Sequence, residues 1–161
     1  MRKLALWYAV ALLVVLLDQL SKHWVSSSFS YGEVRAYTGF FNLVLTYNKG
    51  AAFSFLAAAA GWQRSLFIII ALVAIVVIGV LLARHAGEKL FCFALALILG
   101  GATGNVLDRM LLGYVVDFLD FHVAGWHWPA FNLADSAITL GVVLLVADSL
   151  FPRASRARAA R

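Results

Sequence analysis

Charge is scarce in this sequence. Only 13% of its 161 residues are Asp, Glu, Lys or Arg, while 63% are apolar and the mean hydropathy is +0.90. Soluble domains carry about 25% charged and roughly 45–50% apolar residues. A chain this poor in charge cannot cover a water-facing surface, which excludes a soluble globule, a disordered chain and a collagen-like repeat together. Cysteine is almost absent too. The single Cys92 rules out an internal disulfide framework and any multi-cysteine metal site. Several motifs are also missing. There is no H-E-x-x-H for a zinc protease and no G-x-S-x-G for a serine hydrolase. The glycine-rich stretch at 100–105 lacks the G-K-[ST] of a phosphate loop.

What the sequence has instead is long apolar runs, over residues 4–20, 66–83, 90–106 and 133–151. Each can cross a hydrocarbon core of about 30 Å, the first and third only just. Met1-Arg2-Lys3 before an apolar run also fits a signal peptide. However, Asp18-Gln19-Leu20-Ser21-Lys22 offers no A-x-A-like cleavage site, so the segment is expected to remain as a first transmembrane helix. The basic residues orient the spans. Arg2, Lys3, Arg84, Lys89, Arg153, Arg156, Arg158 and Arg161 fall on one side, expected to be cytoplasmic with both termini. Lys22, Arg35, Lys49, Arg64 and Arg109 are spread over longer loops on the other. The net charge of +5 then reflects topology and anionic lipid and requires no nucleic acid.

Two extracytoplasmic regions remain, 22–64 and 108–130. Residues 39–47 are rich in aromatic and β-branched side chains and read as a strand. Trp62, Trp126 and Trp128 fit an aromatic belt at the membrane–water interface. The expected architecture is one all-α membrane domain over 1–161 with four transmembrane helices, plus a small extracytoplasmic β-sheet lying on the membrane. A basic cytoplasmic tail is expected over 152–161.

The eight acids carry the most information. Glu88 falls in a cytoplasmic loop, Glu33 in the long outer loop, Asp120 in a loop or interface, and Asp148 near the cytoplasmic interface as a structural residue. Asp18, Asp108, Asp117 and Asp135 all map to the outer end of the spans. An Asp at a helix centre costs roughly 2.5–3.5 kcal/mol on insertion scales, and less near the ends. Each therefore needs a partner or a purpose. Asp117 and Asp135 stand among apolar residues, in Val115-Val116-Asp117-Phe118 and Asn132-Leu133-Ala134-Asp135. If the chain folds back between them the two carboxyls meet. One then keeps a proton while the other acts as base, the arrangement of an aspartic protease. Two structural readings stay open beside this one. Asn132 and Asp135 can form a capping box at the start of the fourth helix, and Asp117 can be an acid paired with Arg109.

Other chemistries have less support. Cys92 sits among Phe and Leu in the third span and reads as a small core residue. His23, His85, His122 and His127 are scattered, with the last two read as interfacial. The Gly100/Gly104 spacing suits close helix packing.

Five segments in order resemble the bacterial lipoprotein signal peptidases (signal peptidase II, an aspartic peptidase family). They are Asp18-Gln19-Leu20-Ser21-Lys22, Asn48-Lys49-Gly50-Ala51-Ala52-Phe53, residues 100–109 (GGATGNVLDR), Val115-Val116-Asp117-Phe118 and Phe131-Asn132-Leu133-Ala134-Asp135-Ser136. The resemblance implies a plasma-membrane aspartic endopeptidase. It would remove signal peptides from diacylglyceryl prolipoproteins just before the lipidated cysteine, and would be inhibited by globomycin. It implies Asp117 and Asp135 as catalytic dyad, with Asp18, Asn48, Gly50, Asn105, Arg109, Asn132 and Ala134 lining or supporting the site. No metal or organic cofactor is implied, and the expected state is a monomer in contact with membrane lipid. Asp108 is expected to fix Arg109 by a salt bridge, and Lys49 and Phe53 to sit on a flap over the cleft. Two other functions stay open: a proton-coupled transporter using Asp18, Asp117 and Asp135 as a relay, and a non-catalytic assembly factor.

Overall fold

The computed structural model describes residues 2–50 and 62–150. In chain order the elements are α1 (Arg2–Ser28), β1 (Val34–Ala36), β2 (Phe41–Asn48), α2 (Trp62–Arg84), α3 (Lys89–Leu111), β3 (Val115–Val123), β4 (Trp126–His127) and α4 (Leu133–Leu150). All four helices are long and apolar enough to cross a membrane. Helix α3 is the central one, with 61% of its most apolar stretch buried against 11–22% for the other three. Leu95, Ala96, Leu99 and Cys92 of α3 pack with Trp7 and Ala11 of α1 and Ile78 and Leu82 of α2. Farther along, Leu97 meets Val14 of α1 and Ala137 of α4. The outward faces of α1 and α2 are Leu, Ile and Val exposed to the surroundings, as lipid contact requires.

The strands form one antiparallel sheet in the order β1-β2-β3-β4. The turn between β3 and β4 holds Ala124 (φ 50°) and Gly125 (φ 80°), the two left-handed residues of a tight hairpin. The sheet rests on the end of α1, where Val25 and Phe29 pack against Leu45, Val116 and Phe118. One irregularity in it positions the site. Leu43 pairs with Leu119 but Thr46 pairs with Asp117, so β2 carries one extra residue between them. Such a bulge inverts the alternation of the residues beyond it. Asn42, opposite Asp120, points to one face; Asn48, opposite Val115, is turned to the other, the face of Asp117.

Three sequence expectations are corrected. The first helix does not stop at residue 20 but continues to Ser28. Lys22 is therefore a buried helical residue, 3% exposed, and not part of an outer loop. Its charge is tolerated because Asp18 and Asp108 lie at 2.8 and 2.9 Å. That pairing also removes the expected Asp108–Arg109 bridge. Asp120 is no loop residue: it is buried in β3 and accepts hydrogen bonds from Asn42 Nδ2 at 2.8 Å and from the His127 ring at 2.9 Å. The strand-like reading of 39–47 matches β2, whereas β3 had no sequence assignment. The Ala51-Ala52-Phe53 part of the second motif and the basic tail lie outside the described residues, so of the expected flap only Lys49 is placed.

Candidate active site

The polar residues singled out by the sequence gather at the end of the bundle that meets the sheet. Helix α4 begins there, and its first turn leaves backbone N–H groups without helical partners. Asn132 caps it: Oδ1 accepts the Asp135 N–H at 2.9 Å, while Asp135 Oδ2 accepts the Asn132 N–H at 3.2 Å. This reciprocal pair is the capping box foreseen for these residues. A second first-turn amide, that of Ala134, donates to Asp18 Oδ1 across from α1 at 2.9 Å. Two carboxylates thus sit at the positive end of one helix.

The capping role of Asp135 does not compete with its place beside Asp117, because Asn132 serves both acids. Its side-chain Nδ2 donates to Asp117 Oδ1 at 2.7 Å. The other Asp117 oxygen accepts from Asn48 Nδ2 at 3.0 Å, which the bulge in β2 has turned to this face. Asn48 is itself held by the Gly50 N–H donating to its Oδ1 at 2.9 Å. Gly50 has a φ of 100°, which a side chain would resist. With both oxygens bound by amides, Asp117 forms no ion pair with Arg109, and that alternative falls away. Asp117 is 2% exposed. Burial pushes its carboxyl up to about 7; the charge of Asp135 adds to the rise, while the Asn48 and Asn132 amides and Lys22 oppose it.

The remaining predicted residues complete one network. Asn105 Nδ2 donates to Asp135 Oδ1 at 2.8 Å, and Asn105 Oδ1 accepts from Lys22 Nζ at 3.0 Å. Arg109 stands at the rim. It donates to the Asn105 carbonyl at 3.2 Å, lies 5.2 Å over the Phe67 ring and is within electrostatic reach of Asp135, Asp117 and Asp108. Among the described residues no carboxylate is within ion-pair distance of it. Sequence reasoning missed Lys22, Gln19 and the true place of Asp108. Gln19 Nε2 donates to Asp108 Oδ1 at 2.9 Å, and Asp108 Oδ2 accepts the Val116 N–H at 3.1 Å, tying the start of β3 to α3. The available signal was the Asp18/Lys22 spacing of four, which places both on one helix face. Among the described residues no group of three or more His, Cys, Asp or Glu is arranged to hold a metal ion.

Four membrane-crossing helices, with a small sheet and the buried Asp117 beside Asp135 at one end, define a multi-pass membrane protein whose polar chemistry is concentrated at one bilayer face. Comparison with known proteins gives that class its chemistry. The signal peptidase (SPase) II family matches residues 10–151. The lipoprotein signal peptidase of Paraburkholderia phytofirmans is 63% identical over 91% of this chain and 86% of its own. That of Janthinobacterium sp. is 60% identical over 89% and 87%. Two solved bacterial membrane enzymes, obtained by the in meso method, superpose with TM-scores of 0.80 and 0.83, each at 30% identity. They cover 91% and 92% of this chain, and 88% and 95% of their own. The chain belongs to the signal peptidase II family. It is a membrane protease that processes prolipoproteins by removing their signal peptides, and the transporter and assembly-factor readings are set aside.

Proposed function

We propose that Asp117 and Asp135 are the catalytic dyad of this peptidase, and that it cleaves just before a diacylglyceryl cysteine without metal or organic cofactor. One observation carries the reading: Asn132 binds both carboxyls at once while the buried Asp117 keeps its proton to about pH 7. Because the proton the pair retains is held by the buried Asp117, Asp135 is the member that acts as base. It takes a proton from a water whose oxygen attacks the scissile carbonyl carbon, and Asp117 gives its proton to the carbonyl oxygen. The resulting gem-diol collapses as the C–N bond breaks. The Asp135 proton then passes to the leaving amine, and one hydroxyl returns a proton to Asp117, restoring the starting state.

The supporting residues divide by what they hold. Asn132, Asn105 and Asn48 orient the two acids, Gly50 shapes the turn that presents Asn48, and Asp18 with Ala134 seats the start of α4. Arg109 is the donor left for substrate. β1 pairs with residues 42–44 of β2, and Gly32 and Glu33 bond Leu45, so β2 continues past them from Thr46 toward Asn48. An extended substrate strand added there would expose its backbone to the dyad. A monomer in the bacterial plasma membrane, with both termini cytoplasmic and the site at the outer leaflet, fits Arg2, Arg84 and Lys89 at the ends of α1, α2 and α3 away from the acids.

The cleavage assay is direct. Purified chain in detergent, given a diacylglyceryl prolipoprotein and a chelator, is expected to release the signal peptide; no release from intact substrate by folded protein would defeat the proposal. The pH profile has a definite sign. Asp117 must be protonated to donate, so kcat/KM is expected to fall on the alkaline side with a midpoint near the value of about 7, approaching tenfold per pH unit beyond it. By linkage, the stability from this neutral carboxyl is full below the ordinary Asp range and lost as pH rises through about 7.

The sheet carries a further prediction about lipid. Phe40, Phe121, Trp126 and Trp128 are exposed and, with His122, Val123 and Phe131, line an apolar groove of about 420 Å³. Such side chains favour the interfacial zone of a bilayer. In nanodiscs, Trp126→Ser/Trp128→Ser is expected to weaken quenching of tryptophan fluorescence by lipid-borne quenchers and to raise KM for lipidated substrate about two- to tenfold, with kcat little changed. Unchanged quenching would place the hairpin in water.

A further inference from the structure

The buried ion cluster beneath the acid pair has no part in the reaction as derived so far. Lys22 Nζ has three oxygen partners, Asp18 Oδ2 at 2.8 Å, Asp108 Oδ2 at 2.9 Å and Asn105 Oδ1 at 3.0 Å. Asp18, Lys22 and Asp108 are each at most 3% exposed. A cluster of this kind is a poor device for stability, since apolar residues of similar volume hold helices together as well or better. Its effect on Asn105 is specific. An ammonium has only donors, so Asn105 must turn its oxygen to Lys22 and its Nδ2 to Asp135 Oδ1, 2.8 Å away. The flipped amide would set NH2 against the ammonium and an oxygen against the carboxylate. Asn105 Oδ1 also accepts Asn132 Nδ2 at 3.2 Å, the same group that donates to Asp117.

We infer that Lys22 is a positioning residue for the reaction: its ammonium fixes the Asn105 amide so that Asp135 and, through Asn132, Asp117 are both met by donors. This rests on the dyad reading above. Among the described residues, the charged groups acting on Asp117 are Lys22 on α1, Arg109 on α3 and Asp135 on α4, with Asp18 and Asp108 behind Lys22 as its ion-pair partners. On Asp117's own stretch of chain are Tyr114 and, on the opposite face of β3, Asp120. Lys22 and Arg109 are the cations among them. A cation favours the carboxylate form, so removing Lys22 lets Asp117 keep its proton to higher pH.

The test uses the full chain in detergent, with kcat and KM measured against pH for wild type, Lys22→Met, Lys22→Met/Asp108→Asn and Asp117→Asn, and thermal unfolding followed for each. The double variant removes the cation with one of its two anions, so that the fold is not left holding two unpaired buried acids. If Lys22→Met does not fold, the double variant decides. The expected result in the folded variants is a kcat lowered about 10- to 100-fold with KM within about threefold of wild type. The alkaline limb is expected to move up by less than about one pH unit in Lys22→Met and to stay near wild type in the double variant, which loses a cation and an anion together. A folded double variant with the wild-type kcat overturns the inference, as does one whose only change is in KM or in unfolding temperature, or a folded Lys22→Met with the wild-type limb. Activity surviving in Asp117→Asn would instead defeat the dyad reading, which separates the two failures.

Discussion

Asp117→Asn and Asp135→Asn are each expected to lower the rate of signal-peptide release by about 10³- to 10⁴-fold, because each acid both gives and takes a proton in one turnover. The two losses have different structural consequences. At 117 an amide can keep one acceptor for Asn132 Nδ2, but its new NH2 faces the Asn48 NH2 that now donates to Asp117 Oδ2. Asn48 cannot flip to suit without losing the Gly50 N–H on its Oδ1. Asp117→Asn is therefore expected to loosen the end of β2 while leaving the helices intact. At 135 the change weakens the capping box with Asn132 and the bond from Asn105, a stability loss of about 1 kcal/mol. Cleavage of a diacylglyceryl prolipoprotein, with unfolding followed in parallel, separates chemistry from fold. Substantial activity in either folded variant would reduce that aspartate to a structural residue.

Gly104→Ala is expected to lower stability sharply although it touches neither dyad acid. A Cβ built there would lie 2.5 Å from Asp18 Oδ2 and 3.2 Å from its Cγ. Asp18 is pinned by Lys22 and by the Ala134 N–H, so it cannot swing aside without releasing the start of α4. Overpacking of this kind costs typically 1–3 kcal/mol, and the broken hydrogen bonds add to it. Gly101 faces the same helix, and its Cβ would run into the Ala134 carbonyl oxygen. Gly79→Ala on α2 is the control, since its nearest neighbour is the Tyr8 hydroxyl at 3.5 Å. It is expected to unfold at or slightly above the wild-type temperature with full activity. If Gly104→Ala behaved like Gly79→Ala, the close seating of α3 against Asp18 would be disproved.

Much of the architecture was legible because a bilayer constrains composition so strongly. Residues 66–83 and 133–151 have no soluble interpretation, and their counterparts α2 and α4 lie within four residues of those limits. The clustering of Asp18, Asp108, Asp117 and Asp135 at one end was legible for the same reason: an acid near apolar lipid must answer to something. Strand β3 escaped notice because Val115–Val123 is buried on both faces along its first four residues, which blurs the alternation that marks a half-buried strand.

By itself, then, the sequence determined that this is a membrane protein of four spans with four acids toward one face, since hydropathy and the cost of burying charge act on local composition. Tertiary structure alone decided who partners whom. Lys22 read as the start of the outer loop because a lone ammonium is excluded from lipid; only the arrival of Asp108 from α3 lets α1 run on to Ser28 around it. Asn48 read as a supporting residue just past the strand, with no partner assigned; only the bulge in β2 turns it to Asp117. Pairing and facing depend on contacts between residues far apart in the chain, where local patterns carry no information.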